Sequence, residues 1–147
     1  MAQDAAPRGR GQEAYPGQRL GLTPSGRGSL ATWSNRITAL VVDWAASMAV
    51  AVGLFGSGVL TSDGWRAWMI LAVFFVESTI LSALAGGSFG QLLAGVGIAR
   101  LDAKPLGVVR AVIRAALVCL VVPALVVGAD RRGLHDVAVG TLVIKRR

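Results

Sequence analysis

One cysteine and one histidine in a chain of 147 residues leave little room for metal or redox chemistry. Cys119 lies inside an apolar run and has no second cysteine to pair with, so an intramolecular disulfide is excluded. It reads as a small buried hydrophobe. His135 has no surrounding cluster of thiols or carboxylates in the sequence, and neither a metal site nor a cofactor is expected in one chain. Acids are scarce as well: eight Asp and Glu stand against fifteen Lys and Arg, for a net charge of +7. Charged residues of all kinds are only 16% of the chain, whereas hydrophobic residues are 54%. A soluble domain of this length keeps much of its surface wet and cannot hide so much apolar area. A soluble enzyme is therefore not expected. The basic excess alone would also suit nucleic acid. Here, however, the arginines flank apolar runs instead of lining one polar helix face. Anionic lipid headgroups are the expected partner, and nucleic acid is not.

Enzymatic motifs are correspondingly thin. The run "GVGIAR" offers two glycines of a dinucleotide turn but follows no buried parallel strand. The neighbours His135 and Asp136 are half of a catalytic dyad at most, with no nucleophile in view. A turn or capping role suits Asp136 better.

Along the chain, residues 1–32 are rich in Gly, Pro, Gln and Arg and read as a disordered basic tail. It is either a solvated tail or an electrostatic tether through Arg8, Arg10, Arg19 and Arg27. Three apolar segments follow, at about 37–60, 67–86 and 111–129. The first two are long enough to cross the roughly 30 Å hydrocarbon core as helices. Ser34 or Asn35 can cap the first. Asp63-Gly64 marks a short turn between them, and Trp33, Trp44, Trp65 and Trp68 lie near the segment starts as an interfacial belt would place them. The third segment is interrupted by Arg114 and Pro123. Between the second and third segments, glycines break any long helix. A short helix at 89–94 and a strand at 96–101 fit there, and "TLVIKRR" near the chain's end is a second β-like run. The expected fold is an all-α integral membrane protein. It has a two-helix transmembrane hairpin and a third apolar helix broken near Pro123, either re-entrant or kinked. A small two-stranded β element pairs 96–101 with 141–146, because neither run is stable as an isolated edge.

Basic residues near the segment ends place the N-terminus and residues 87–110 on the cytoplasmic side and the Thr61–Arg66 connection outside. Two acids then lie where the bilayer makes charge expensive. Asp43 is about 10 Å deeper than Arg36 along the first helix, and Glu77 reaches a similar depth on the second. They suit a cation or proton site, with Arg36 or Arg114 as a competing counter-charge. They also suit a structural role, in which Arg114 or Arg110 neutralises Asp43 and Glu77 is protonated or hydrogen-bonded to Ser78, Thr79 or Ser82.

Taken together, Arg36 and Asp43 in the first helix, the glycine-rich "GSFGQLLAGVGIARLDAKPLG", Arg114, and the closing "DRRGLHDVAVGTLVIKRR" resemble the RDD family of bacterial membrane proteins. The resemblance runs from Trp33 to Ile144 and implies a membrane domain over 33–147. It implies that Arg36, Asp43 and Asp136 are the signature Arg and two Asp. Gln91 departs from the family pattern, which often has a basic residue there. The resemblance implies a multi-pass protein of the bacterial plasma membrane. It further implies a subunit of a system transporting cations, protons or an unidentified ligand, or alternatively a non-catalytic accessory or assembly subunit. Two or three helices are too few for a closed pathway, so a homo-oligomer or other membrane subunits are expected as partners.

Overall fold

The computed structural model describes residues 15–120 and 132–147. Helix α1 spans Trp33–Phe55 and α2 is the short turn Gly58–Thr61. A 3₁₀ turn at Trp65–Trp68 leads into α3, Met69–Ala85. Then come α4 (Phe89–Leu93), β1 (Val96–Arg100), α5 (Val108–Cys119), α6 (Leu134–Val139) and β2 (Thr141–Lys145). The described chain is mostly helical, with two long apolar helices and one small antiparallel sheet.

The first helix starts one cap earlier than expected. Thr32 holds extended backbone and its Oγ1 accepts from the Asn35 amide at 3.3 Å, so Thr32, rather than Ser34 or Asn35, meets the orphan donor. Gly56, at φ 81°, ends α1, which the apolar run alone had continued to residue 60. Gly86, at φ 69°, ends α3. At both ends a left-handed residue closes the last turn, a conformation in which a Cβ is unfavourable.

The long helices are apolar on the outside and small or polar on the inside. The buried residues of α1 are Ala39, Asp43, Ser47 and Ala51, one per turn along a single face. Those of α3 are Phe74, Ser78 and Ser82. The large apolar side chains face away: Leu54 is 70% exposed and Leu84 is 81% exposed. In the most apolar window of each candidate span only 22% and 17% of residues are buried, whereas the core helix of a soluble protein is buried on its apolar side. Small residues at the helix contact and large apolar ones outside are what packing within lipid requires. Trp44 stacks on Phe74 with ring centroids 6.1 Å apart. Both helices are long and apolar enough to cross a bilayer.

Helix α1 packs on α3 and α4, α3 packs on α5, and α5 packs on α6. Strands β1 and β2 pair antiparallel with Val96 opposite Lys145 and Arg100 opposite Thr141, the pairing expected from the two β-like runs. The other edge of β2 is also occupied. Gly28 donates to the Lys145 carbonyl, Lys145 to Ser29, and Ala31 to Val143, each at 2.9 Å. This corrects the expected tail of 1–32. Residues 28–31 lie against β2, and Leu30 and Ala31 are buried, because the second edge of a lone hairpin otherwise leaves its donors and acceptors unmet. Ala31, Val96 and Val143 form one small apolar cluster, and Ile98, Leu106 and Ala111 another. Helix α5 begins at Val108, before the expected 111, behind Gly107. The expected break near Pro123 lies outside the described residues.

Candidate functional site

Helix α4 is short, so its N-terminal amides outnumber the turns that could use them. Ser88 and Gln91 form a reciprocal capping box at its start, with the Ser88 amide donating to Gln91 Oε1 at 3.1 Å. Two further acceptors come from the long helices. Asp43 of α1 accepts from the Gly90 amide at 2.5 Å through Oδ1 and from the Ser88 hydroxyl at 2.6 Å through Oδ2. Glu77 of α3 accepts from the Phe89 amide at 2.7 Å. Asp43 and Glu77 therefore do meet, but over a helix end rather than as an ion pair. Arg114 bonds elsewhere, and Glu77 turns to Phe89 instead of Ser78, Thr79 or Ser82. The reason is local: amide dipoles at a helix start attract carboxylates, and each carboxylate and each amide would otherwise be unmet in a dry place.

Gly90 makes this geometry possible. A Cβ there would overlap the Ala39 carbonyl of α1 and stand 2.9 Å from the Asp43 carboxyl carbon. Only a residue without a side chain lets α4 lie this close to α1.

The second centre is Asp136 on α6, which is fully buried. Arg114 of α5 donates its Nε to Oδ1 at 3.0 Å, and the Thr141 hydroxyl donates to the same oxygen at 3.0 Å. On the Oδ2 side stand His135 Nε2 at 3.4 Å and Arg36 Nη1 at 3.8 Å. Arg132 ties the frame by donating to the Thr141 carbonyl at 2.9 Å and to the Asp136 carbonyl at 3.3 Å. Burial by itself would push the Asp136 carboxyl up. Arg114 first, then His135 and Arg36, hold it below the usual carboxylate range. The structure thus joins α1, α5, α6 and β2 through one carboxylate. Asp136 lies inside α6 and its side chain does not cap that helix, whose N-cap is Gly133. Arg110, expected as a counter-charge to Asp43, takes no part in this network.

Between the two centres lies a cavity of about 260 Å³ whose walls include Arg36, Asp43, Arg114, His135, Trp44 and Phe74. Cys119 also borders it. Among the described residues, no group of three His, Cys, Asp or Glu side chains converges on a metal-sized space.

The sequence model of the RDD family matches residues 30–140. The chain belongs to the RDD family. The matched stretch contains Arg36, Asp43, Glu77, Arg114 and Asp136, and so the acids of both centres of this RDD domain. No curated protein and no solved structure matches the chain.

Several residues of the RDD domain's two centres were not singled out from sequence. Ser88 carried a signal, since Ser followed three residues later by Gln is a capping-box pattern. Thr141 and Arg132 carried none, because their partners are remote or backbone groups. Arg146 and Arg147 are a further pair. Arg146 donates to the Ala85 carbonyl at 2.8 Å and Arg147 to the Leu93 carbonyl at 3.0 Å, closing the ends of α3 and α4.

Proposed function

We propose that this RDD-family chain is a non-catalytic accessory or assembly subunit of a larger complex in the bacterial plasma membrane. One observation carries the reading: the buried acids are committed to holding the fold. A carboxylate that moves a cation or proton must release its resting partner to take its cargo. Asp43 and Glu77 hold the first amides of α4, and releasing the buried Asp43 would strand the Gly90 donor away from water. Asp136 is held by Arg114 and Thr141 in the same way. The outward apolar side chains, such as Leu54, Leu84 and Val109, then serve lipid and partner subunits.

In the same reading the sheet and residues 87–110 face the cytoplasm and Thr61–Arg66 faces outward. The β1–β2 pairing and the Arg114–Asp136 bond support one membrane side for the elements before and after them, since opposite sides would part each of those partners.

The competing reading is a subunit that moves cations or protons, and the cavity beside Asp43, with Arg36, Arg114 and His135 also in its mostly apolar wall, favours it. Purification of the full chain in mild detergent tests the proposal. A second membrane protein in fixed ratio is expected, and recovery of a homo-oligomer alone counts against it. In vesicles, cation-driven proton movement that Asp43→Asn abolishes would establish the competing reading instead.

A further inference from the structure

At the end of α3 lies a second cavity, of about 450 Å³, walled by Leu84, Gly86, Arg100, Lys104, Leu106 and Arg146 among others. Its cations come from three separate parts of the chain: the end of β1, the following turn, and the residue after β2. No acid lines it among the described residues, and the nearest, Asp102, is paired with Arg100. Arg100 is held in place by donating Nη1 to the Pro105 carbonyl at 2.7 Å, which leaves its Nε buried and without a hydrogen-bond partner. Arg146 is anchored by the Ala85 and Gly86 carbonyls. The Lys104 ammonium makes no bond to any described residue. Two fixed guanidiniums, one of them already paired with Asp102, and one unengaged ammonium therefore share a hollow that no acid lines.

The same helix carries an apolar stripe to the rim of that hollow. Val76 is 53% exposed, Ile80 50% and Leu84 81%. Their spacing of four puts them on one face of α3. Free phosphate would gain nothing from this stripe, whereas an acyl chain would lie along it. A zwitterionic headgroup would bring a positive charge of its own to a hollow already lined by three cations.

We propose that the hollow binds one phospholipid with an anionic phosphate headgroup, its phosphate among Arg100, Lys104 and Arg146 and one acyl chain along Val76, Ile80 and Leu84. The site rests on the placement of α3 in the bilayer and not on the accessory role.

The full chain in mild detergent is titrated with phosphatidylglycerol, phosphatidylcholine or inorganic phosphate, and bound lipid is read by native mass spectrometry. Retention of one phosphatidylglycerol in preference to phosphatidylcholine is expected. Lys104→Gln lowers that affinity by about five-fold, the effect of one basic residue at an anionic lipid surface, and Lys104→Glu lowers it further. Lys104 is exposed and its side chain makes no bond among the described residues, so both variants keep the fold. Arg66→Gln, at the other end of α3, leaves binding unchanged. Equal retention of the two lipids overturns the proposal, as does a Lys104→Gln variant that binds like the wild type. Displacement of the lipid by inorganic phosphate at equal concentration assigns the hollow to phosphate and removes the lipid claim.

Discussion

Asp136→Asn changes one oxygen to an amide nitrogen and almost nothing in shape, so it isolates the charge. The carboxylate it replaces is fully buried, 3.0 Å from Arg114, which is itself 4% exposed. Removing one member of such a pair strands the other charge away from water and typically costs about 3–5 kcal/mol, against about 0–1 kcal/mol for an exposed pair. The larger figure applies here because Arg114 is itself buried, and Thr141 loses its charged acceptor too. Equilibrium denaturation of the purified chain in detergent measures the loss. The double variant Arg114→Gln/Asp136→Asn recovers part of it, because the stranded cation is gone. Acid gives a second readout. The folded carboxyl sits below its ordinary range, so its stabilisation is complete above the unfolded value of about 4 and drains away as pH falls towards the folded one. The wild-type advantage over Asp136→Asn thus narrows only in acid. A variant within about 0.5 kcal/mol of the wild type, the usual size of a surface change, would refute the reasoning. So would a double variant as unstable as the two single losses added together.

Other perturbations follow from particular contacts. Gly90→Ala drives a Cβ into the Ala39 carbonyl and destabilises by at least about 1–3 kcal/mol. Gly53→Ala, with nothing within 4 Å of its new Cβ, is neutral or gains up to about 1 kcal/mol of helix propensity; thermal melts of the two variants should diverge. In a Cys119→Ser background, cysteines at Ile98 and Val143, which are register partners, cross-link readily, whereas cysteines at Ile98 and Leu142 point to opposite faces and do not. For the proposed orientation, a cysteine at Asp63 reacts with an impermeant reagent from outside and one at Asp102 does not; the reverse pattern overturns that orientation.

The long helices were legible because apolar runs of span length have few other uses, and the β pairing was legible because two short runs each lacked a partner. Their ends were less so. Gly56 stops α1 although Val59 and Leu60 remain apolar, since hydropathy does not register a left-handed turn. The depth of Asp43 and Glu77 could be counted along their helices, but their partners could not. Both acids meet backbone amides of α4, and backbone groups leave no mark in a sequence. Gly90 and the Ser88–Gln91 spacing were the only traces of that meeting. Arg114 was placed near Asp43 by a charge argument, and it turned to Asp136 because the α5–α6 contact brought a fully buried carboxylate closer. The cap roles of Arg146 and Arg147 were hidden for a similar reason: a basic pair beside a strand looks the same whether it meets lipid or a helix carbonyl.

Strand β2 follows every other described element, yet residues 28–31 and β1 both depend on it for their backbone partners. A ribosome delivering this chain from its N-terminus therefore releases two unpaired edges well before their shared neighbour exists. The long helices can settle into the membrane early, since their hydrogen bonds are all local. The sheet must wait, and closing contacts so distant in the chain is intrinsically slow. In this protein, biosynthesis separates insertion from completion, and β2 marks the moment at which the second is achieved.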